Sequence, residues 1–214
     1  RAFIKVQDGC DNRCTFCITT LARGKGRSRA VQDIVADIQS AQLGGAQEVV
    51  LTGVHLGSWG KDIHPAKDIK TLVEIVLGES DMPRVRLSSL EPWDLDENFF
   101  NLWADPRLAR HLHLPLQSGC NTTLRRMARN TTQEKFSGLV KAARAVIPGV
   151  AITTDMIVGF PGESQAEFDE SLAFVQEMNF AGGHVFTYSA RPDTAAAGMP
   201  DQVPHALRKA RNAQ

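Results

Sequence analysis

Short apolar runs alternate with longer segments of helical period along the chain, and this alternation constrains the fold more than any other feature. The runs at Ala2–Gln7, Glu48–Thr52, Arg84–Leu90, His111–Leu116, Ala151–Val158 and Gly183–Tyr188 carry apolar or β-branched residues and are bounded by Gly, Pro or polar turns. They read as six strands. Between them apolar residues recur at three and four: Val31, Ile34, Val35 and Ile38 in one segment, Ile69, Leu72, Val73 and Val76 in another. Each reads as a helix with one face to bury on a sheet. The clearest helix start is Ser164 with Glu167 three residues on, the spacing of a capping box, ahead of the stripe Phe168, Leu172 and Val175. Such repetition predicts a parallel sheet with helices outside it. Six units fall short of a closed eight-stranded barrel. The expected fold is therefore α/β, a partial (β/α)6 TIM-like barrel with parallel strands, whose reactive groups sit in loops after the carboxyl ends of those strands.

With 214 residues, 43% of them hydrophobic, the chain is long enough for one domain with a substantial core. Lys plus Arg and Asp plus Glu both number 24, so whole-molecule attraction cannot drive binding to nucleic acid or an anionic membrane. No apolar run approaches the ~20 residues that span a bilayer. The opening Arg1-Ala2-Phe3-Ile4-Lys5 lacks the layout of a signal peptide. A soluble, cytoplasmic protein without a membrane partner is the expectation. Because the chain begins at Arg1 and reaches its chemical motif almost at once, it is expected to be a piece of a longer protein.

That motif is Cys10-Asp11-Asn12-Arg13-Cys14-Thr15-Phe16-Cys17, directly after the first expected strand. Three of the four cysteines fall within eight residues, too crowded for an ordinary disulfide framework and typical of metal ligation. Three thiolates from one short loop can hold three corners of a 4Fe-4S cube and leave its fourth iron open. Two other readings stand beside this one. A zinc-stabilised binding module would need a fourth ligand, from Cys120 or one of the six histidines. A ferredoxin-like electron carrier would ligate all four irons and would have no need of a barrel.

With Phe16 before its last cysteine and a barrel strand ahead of it, the loop resembles that of the radical S-adenosylmethionine (SAM) superfamily. Further segments are similar in order and spacing to the methylthiotransferases of that superfamily. They are Val6-Gln7-Asp8-Gly9-Cys10 through Ala22-Arg23-Gly24-Lys25-Gly26-Arg27-Ser28-Arg29, Leu51-Thr52-Gly53-Val54-His55-Leu56-Gly57, Arg86-Leu87-Ser88-Ser89-Leu90-Glu91-Pro92, His113-Leu114-Pro115-Leu116-Gln117-Ser118-Gly119 and Asp155-Met156-Ile157-Val158-Gly159-Phe160-Pro161-Gly162-Glu163. The second and third look closest to the MtaB-like branch, which methylthiolates N6-threonylcarbamoyladenosine beside the tRNA anticodon. Sister branches act on isopentenyladenosine in tRNA or on an aspartate of a ribosomal protein.

The resemblance implies a 4Fe-4S cluster on Cys10, Cys14 and Cys17, with SAM at the open iron. A reducing electron donor would drive SAM cleavage to methionine and a 5′-deoxyadenosyl radical. It implies cofactor contacts at Phe16, at Thr52 and Gly53, at Ser89 and Glu91, at Gln117, and at Asp155, Val158 and Gly159. It also implies an auxiliary-cluster domain and an RNA-binding domain, neither of them in this chain. On this reading residues 1–192 are the radical SAM core, and residues 193–214 begin a linker or helix leading toward the missing carboxyl-terminal domain.

Arg23, Lys25, Arg27 and Arg29 place four cations in seven residues after the cysteine loop, a candidate contact for tRNA phosphates, with a solvated loop as the alternative. Cys120, distant in sequence, is expected to be a small buried thiol and no ligand. His111 and His113 alternate with leucines, so they share one face of a strand and are expected to be satisfied core histidines.

Overall fold

The computed structural model describes residues 1–214. Strand β1 (Ala2–Asp8) is reached again by a later strand after each excursion through a helix, which is why the ladders are parallel. β1 pairs with β3 (Val49–Gly53) from Ala2 opposite Val49 to Gln7 opposite Gly53, and β3 pairs with β4 (Val85–Leu87). A second parallel set joins β5 (His111–His113), β6 (Ala151–Val158) and β7 (Gly182–Thr187). Parallel bridges from Val85 to Leu108 and from Ser89 to His113 stitch β4 to β5, so six strands form one curved, open sheet. The partial barrel matches the expectation. β4 and β5 are shorter than their apolar runs because the chain beyond them bends into the mouth loops. Leu90 and Leu114 nevertheless keep ladder-like bonds, to His113 O (3.0 Å) and Thr153 O (2.9 Å).

The sheet is not wholly parallel. A two-residue strand, β2 (Arg27–Ser28), returns antiparallel to the end of β1, with Gln7 opposite Ser28 and Asp8 opposite Arg27. The basic loop must come back beside β1 before its helix can start, and this pairing satisfies backbone groups that the excursion would leave open.

The outer layer holds α2 (Val31–Leu43), α3 (Ile69–Glu79), α5 (Gln133–Val146) and α6 (Gln165–Met178), with short α1 (Thr19–Arg23) and α4 (Asn121–Arg126) near the mouth. The buried faces of α2 and α3 include Ile34, Val35 and Ile38, and Ile69, Leu72, Val73 and Val76. Asp68 caps α3 by accepting from Thr71 N, and Ser164 with Glu167 forms the capping box that starts α6. Between β4 and β5 the expected helix is replaced by 3-10 turns at Pro92–Asp94 and Glu97–Ala104. Trp59, Phe100 and Phe136 are among the large side chains that fill the layer between sheet and helices.

The opposite, inner face of the sheet is polar. Thr153 Oγ1 lies 3.0 Å from His111 Nε2 and 2.9 Å from His113 Nδ1, and His113 Nε2 lies 3.1 Å from Asp155. Burial, with Arg86 and His113 nearby, holds the His111 ring below its ordinary pKa. The two histidines share one face, as their alternation requires, and hydrogen-bond there. Where β7 forms the open edge, Val185 and Phe186 remain about half exposed.

Residues 193–214, expected to lead away from the core, fold back on the mouth of the barrel. Ala196 is buried against Met127, Phe160 and Tyr188, and its N–H donates to Thr15 O (2.9 Å). Helix α7 (His205–Asn212) sends Arg208 to Tyr188 O and Arg211 to Glu163 at 2.7 Å. No helix is long and apolar enough to cross a membrane.

Candidate active site

The cysteine loop is fixed at both ends before any cofactor is considered. At its start, fully buried Gln7 donates to Asp8 O (2.9 Å) and Gly9 O (2.8 Å), and its side-chain oxygen accepts from His55 N–H (2.8 Å). A Cβ on Gly53 would come within 3.1 Å of the Gln7 side chain, so a glycine lets β1 and β3 close on each other here. At its far end, Thr15 is stapled to the end of α4, its N–H to Met127 O (3.0 Å) and its hydroxyl to Arg126 O (2.8 Å). Cys17 N–H donates to Cys14 O (3.1 Å), a turn that keeps these two thiols close together.

Cys10, Cys14 and Cys17 line one cavity of about 220 Å³, and Phe16, Ser89, Glu91 and Gln117 line it with them. A neighbouring cavity of about 240 Å³ shares Phe16 and Gln117 and is bounded further by Asp155 and Tyr188. Gln117 reaches this junction at φ 74°, a conformation few non-glycine residues adopt, and its backbone is clamped to Asp155 O (2.8 Å) and Ile157 N (2.9 Å). Asp155 is held by His113 on one oxygen and by His184, also 3.1 Å away, on the other. Four of the sequence-derived cofactor positions thus face the thiols and Asp155 faces the adjoining space. Thr52 and Gly53 lie at the end of β3, where Thr52 Oγ1 donates to Ile4 O (3.3 Å), and they line neither cavity. Val158 and Gly159 end β6 behind the second cavity, with Gly159 N bonded to Glu163 (2.8 Å).

Two charged networks behind the thiols were not found from the sequence. Arg129 is buried and donates to Glu91 at 3.2 and 2.7 Å, to Pro115 O at 2.5 Å and toward Cys14 Sγ at 3.7 Å, with its guanidinium 4.4 Å over the Trp93 ring. Burial pushes the Cys14 thiol up, against the pull of this guanidinium. On the other side His55 Nε2 meets Asp94 at 2.5 Å, and Lys61 meets the second oxygen of Asp94 at 2.7 Å. Burial works to lower the His55 pKa, but Asp94 and Cys10 outweigh it and raise the ring to about 9. His55 stood in a quoted motif without a role, and Arg129 follows a helix end with no local signal. Only the topology brings either to the thiols.

No three His, Cys, Asp or Glu side chains converge closely enough to hold a single ion. Cys120 is 1% exposed at the start of α4 and lines neither cavity. Three soft thiol donors spaced around a shared cavity, backed by a buried cation, fit an iron-sulfur cluster with an open corner. Of the basic run, Arg29 is committed to Asp37 (2.8 Å) and Lys5 O (2.8 Å) and Arg23 sits near Asp8 (3.9 Å), whereas Lys25 and Arg27 are exposed.

Similarity to known proteins agrees with this geometry. The chain is 42% identical over 212 residues to threonylcarbamoyladenosine tRNA methylthiotransferase MtaB of Bacillus subtilis (strain 168), covering 99% of this chain and 47% of that protein. It is 38% identical over 216 residues to the tRNA-2-methylthio-N(6)-dimethylallyladenosine synthase of Staphylococcus haemolyticus, covering 99% and 41%. The chain thus spans less than half the length of these relatives. Its fold superposes on the radical SAM methyltransferase TsrM from Kitasatospora setae, solved with cobalamin and a 4Fe-4S cluster bound. The TM-score is 0.74 at 19% identity, over 92% of this chain and 38% of that one. Residues 4–175 match the sequence model of the Radical SAM superfamily, and with its three-cysteine loop at the mouth of a parallel barrel the chain belongs to that superfamily.

Proposed function

We propose that this chain is the SAM-cleaving core of a methylthiotransferase that modifies N6-threonylcarbamoyladenosine beside the tRNA anticodon. The observation that carries the reading is the meeting of three thiols from one loop in a single cavity at the barrel mouth, in a chain similar along its length to tRNA methylthiotransferases. Cys10, Cys14 and Cys17 would hold three irons of the cluster and leave the fourth to SAM. When bound, the cluster and SAM supply a 5′-deoxyadenosyl radical by one-electron cleavage of the sulfonium.

The chain's own residues bind, orient and exclude water. Arg129 places a buried positive charge beside Cys14, where it would offset the negative charge of the cluster's thiolates. Ser89, Glu91 and Gln117 present polar groups on the same wall, and Asp155 offers a carboxylate to ribose hydroxyls in the adjoining cavity. Phe16, held edge-on to Phe160 at 6.5 Å, would border the adenine. The segment from Ala196 to Arg211 packs against the cysteine loop at Thr15 and against Glu163, fixing the loop from outside.

Sulfur delivery, the auxiliary cluster, much of the tRNA recognition and the docking of an electron donor would belong to further parts of the protein. A second reading, action on dimethylallyladenosine in tRNA, rests on an identity to that synthase only slightly lower than to MtaB.

The test is electron paramagnetic resonance (EPR) of anaerobically reconstituted, reduced protein with and without SAM, paired with 5′-deoxyadenosine formation. A 4Fe-4S signal altered by SAM, with 5′-deoxyadenosine but no methylthio product from this chain alone, is the expected result. A cluster indifferent to SAM would overturn the assignment. The full-length protein, offered tRNA carrying either adenosine derivative, separates the two substrate readings.

A further inference from the structure

Residues 196–212 bind the backbone at three places around the cavity of about 240 Å³ that Phe16, Ile157 and Tyr188 help to line. Ala196 N–H donates to Thr15 O (2.9 Å), the carbonyl immediately before Phe16. Arg208 donates to the carbonyl of Tyr188, whose own N–H donates to Val158 O (2.9 Å). Asp201 O accepts from Gly162 N–H (2.9 Å), and Arg211 donates to Glu163 at its backbone oxygen (3.0 Å) and at Oε1 (2.7 Å). That same Oε1 accepts the N–H of Gly159 (2.8 Å), two residues past Ile157. Arg211 thus reaches the end of β6 through a single carboxylate oxygen.

The fit is close as well as polar. Gly159 sits at φ 71°, and a Cβ there would run into the Arg208 side chain, so the end of β6 is shaped to admit α7. Arg211 and Glu163 are almost wholly buried, and neither can exchange its partner for water while α7 stays docked. Ala196 is fully buried with Met127 and Phe160, and Phe160 meets both Tyr188 (5.3 Å) and Phe16 (6.5 Å) edge-on. The cysteine loop, the end of β6 and the end of β7 therefore share one support, although they are far apart in sequence.

We propose that residues 196–212 form a strap that positions the nucleoside end of the SAM site, with Arg211 as its positioning residue, so that strap docking and SAM binding favour each other. The inference rests on the reading of this cavity as the place of the SAM nucleoside. A ligand that needs three pieces of wall in register binds less well once their common support is released. By linkage, SAM then favours the docked strap by the same factor. The cluster itself should survive release, because Thr15 is also held by Arg126 O (2.8 Å) and Met127 O (3.0 Å) at the end of α4.

The experiment is a SAM titration of the anaerobically reconstituted, reduced chain, followed by EPR, with iron per chain measured on each sample. Arg211→Met with full iron should keep the SAM-free cluster signal and bind SAM about tenfold more weakly, a usual size for coupling between sites. Arg211→Lys, which keeps a cation for Glu163, should recover part of the affinity. An unchanged affinity in Arg211→Met with full iron would overturn the inference. Hydrogen exchange of the wild-type chain with and without SAM gives a second reading, and it decides the matter if Arg211→Met fails to hold iron. SAM should slow exchange across residues 196–212 more than in α3, which lines neither cavity. Equal slowing in the two segments would overturn the proposal. A wild-type cluster whose signal SAM leaves unaltered would instead bring down the SAM reading, and this inference with it.

Discussion

Replacing Arg211 with methionine should cost about 3 kcal/mol and release the carboxyl-terminal segment from the barrel mouth. The Arg211 and Glu163 side chains are 3% and 2% exposed and meet at 2.7 Å, and Arg211 also donates to Glu163 O at 3.0 Å. Breaking a buried pair by deleting one partner typically costs about 3–5 kcal/mol, because the other charge stays behind without water. The low end applies here for two reasons. Glu163 keeps the Gly159 N–H at 2.8 Å, and burial already pushes its carboxyl up, so it takes a proton more readily than an exposed glutamate. Undocking α7 is a second escape, since it opens Glu163 to solvent, and the cheaper of the two routes sets the loss. For a domain of this size about 3 kcal/mol lowers Tm by roughly 6–12 °C. Urea and thermal unfolding measure the loss, and hydrogen exchange should accelerate across residues 193–214. The double variant Arg211→Met/Glu163→Gln removes both charges and should regain most of the stability. A Tm shift under about 2 °C with unchanged exchange in that segment, or a double variant no better than the single, would refute the reasoning.

Other outcomes follow from single residues. Glu48 receives Arg86 at 2.9 Å and Arg1 at 2.9 Å, and although burial acts to raise its pKa these partners hold it below the usual carboxylate range. Glu48→Gln should therefore lose about 1–2 kcal/mol near pH 7. Because the depressed pKa stabilises only above the unfolded value, the difference should shrink as pH falls below about 4, as urea titrations at the two pH values would show. Cys120→Ser should leave iron and sulfide per chain unchanged, and a drop in iron would make Cys120 a ligand. In filter binding with tRNA, Lys25→Ala and Arg27→Ala should each lower affinity and reduce the salt slope by about one. Arg29→Ala should leave that slope unaltered, since Arg29 is engaged by Asp37.

The fold was legible where one face of an element is buried and the other is not. Ile34, Val35 and Ile38 in α2 and the Ser164–Glu167 box before α6 carry their periodicity and their cap in a few adjacent residues. The three thiols were legible for the same reason, since one loop supplies them all. β2 escaped notice because two residues hold no period, and the Glu97–Ala104 segment gave no sign that its turns would be 3-10. The basic end of the chain looked like a departing helix, since three cations in four residues, Arg208, Lys209 and Arg211, usually face solvent. Their partners, Tyr188 O and Glu163, become neighbours only when β6 and β7 are side by side. His55 and Arg129 were hidden likewise, each lying far along the chain from the cysteine loop it meets.

What separates the two ends of the barrel is where its buried charge sits. At the amino ends of the strands, Glu48 gathers Arg1, Arg84 and Arg86 at a partly solvated edge, where an ion cluster costs little desolvation. At the carboxyl ends, three pairs have their cationic partner drawn almost wholly from water: His55 with Asp94, Arg129 with Glu91, and Arg211 with Glu163. Such pairs are poor sources of stability, since well-packed apolar groups of similar volume would often serve as well or better. Gln117, held at a positive φ between them, adds backbone strain to the same end. A fold that keeps uncompetitive interactions at one end and ordinary ones at the other is holding that end in a fixed arrangement. The first two pairs reach the cysteine loop, at Asn12 and at Cys14, and the third fastens the carboxyl-terminal segment. Each of these pairs is thus matched to the loop or segment it holds, and together they mark the carboxyl ends of the strands as the end of the barrel whose arrangement is fixed.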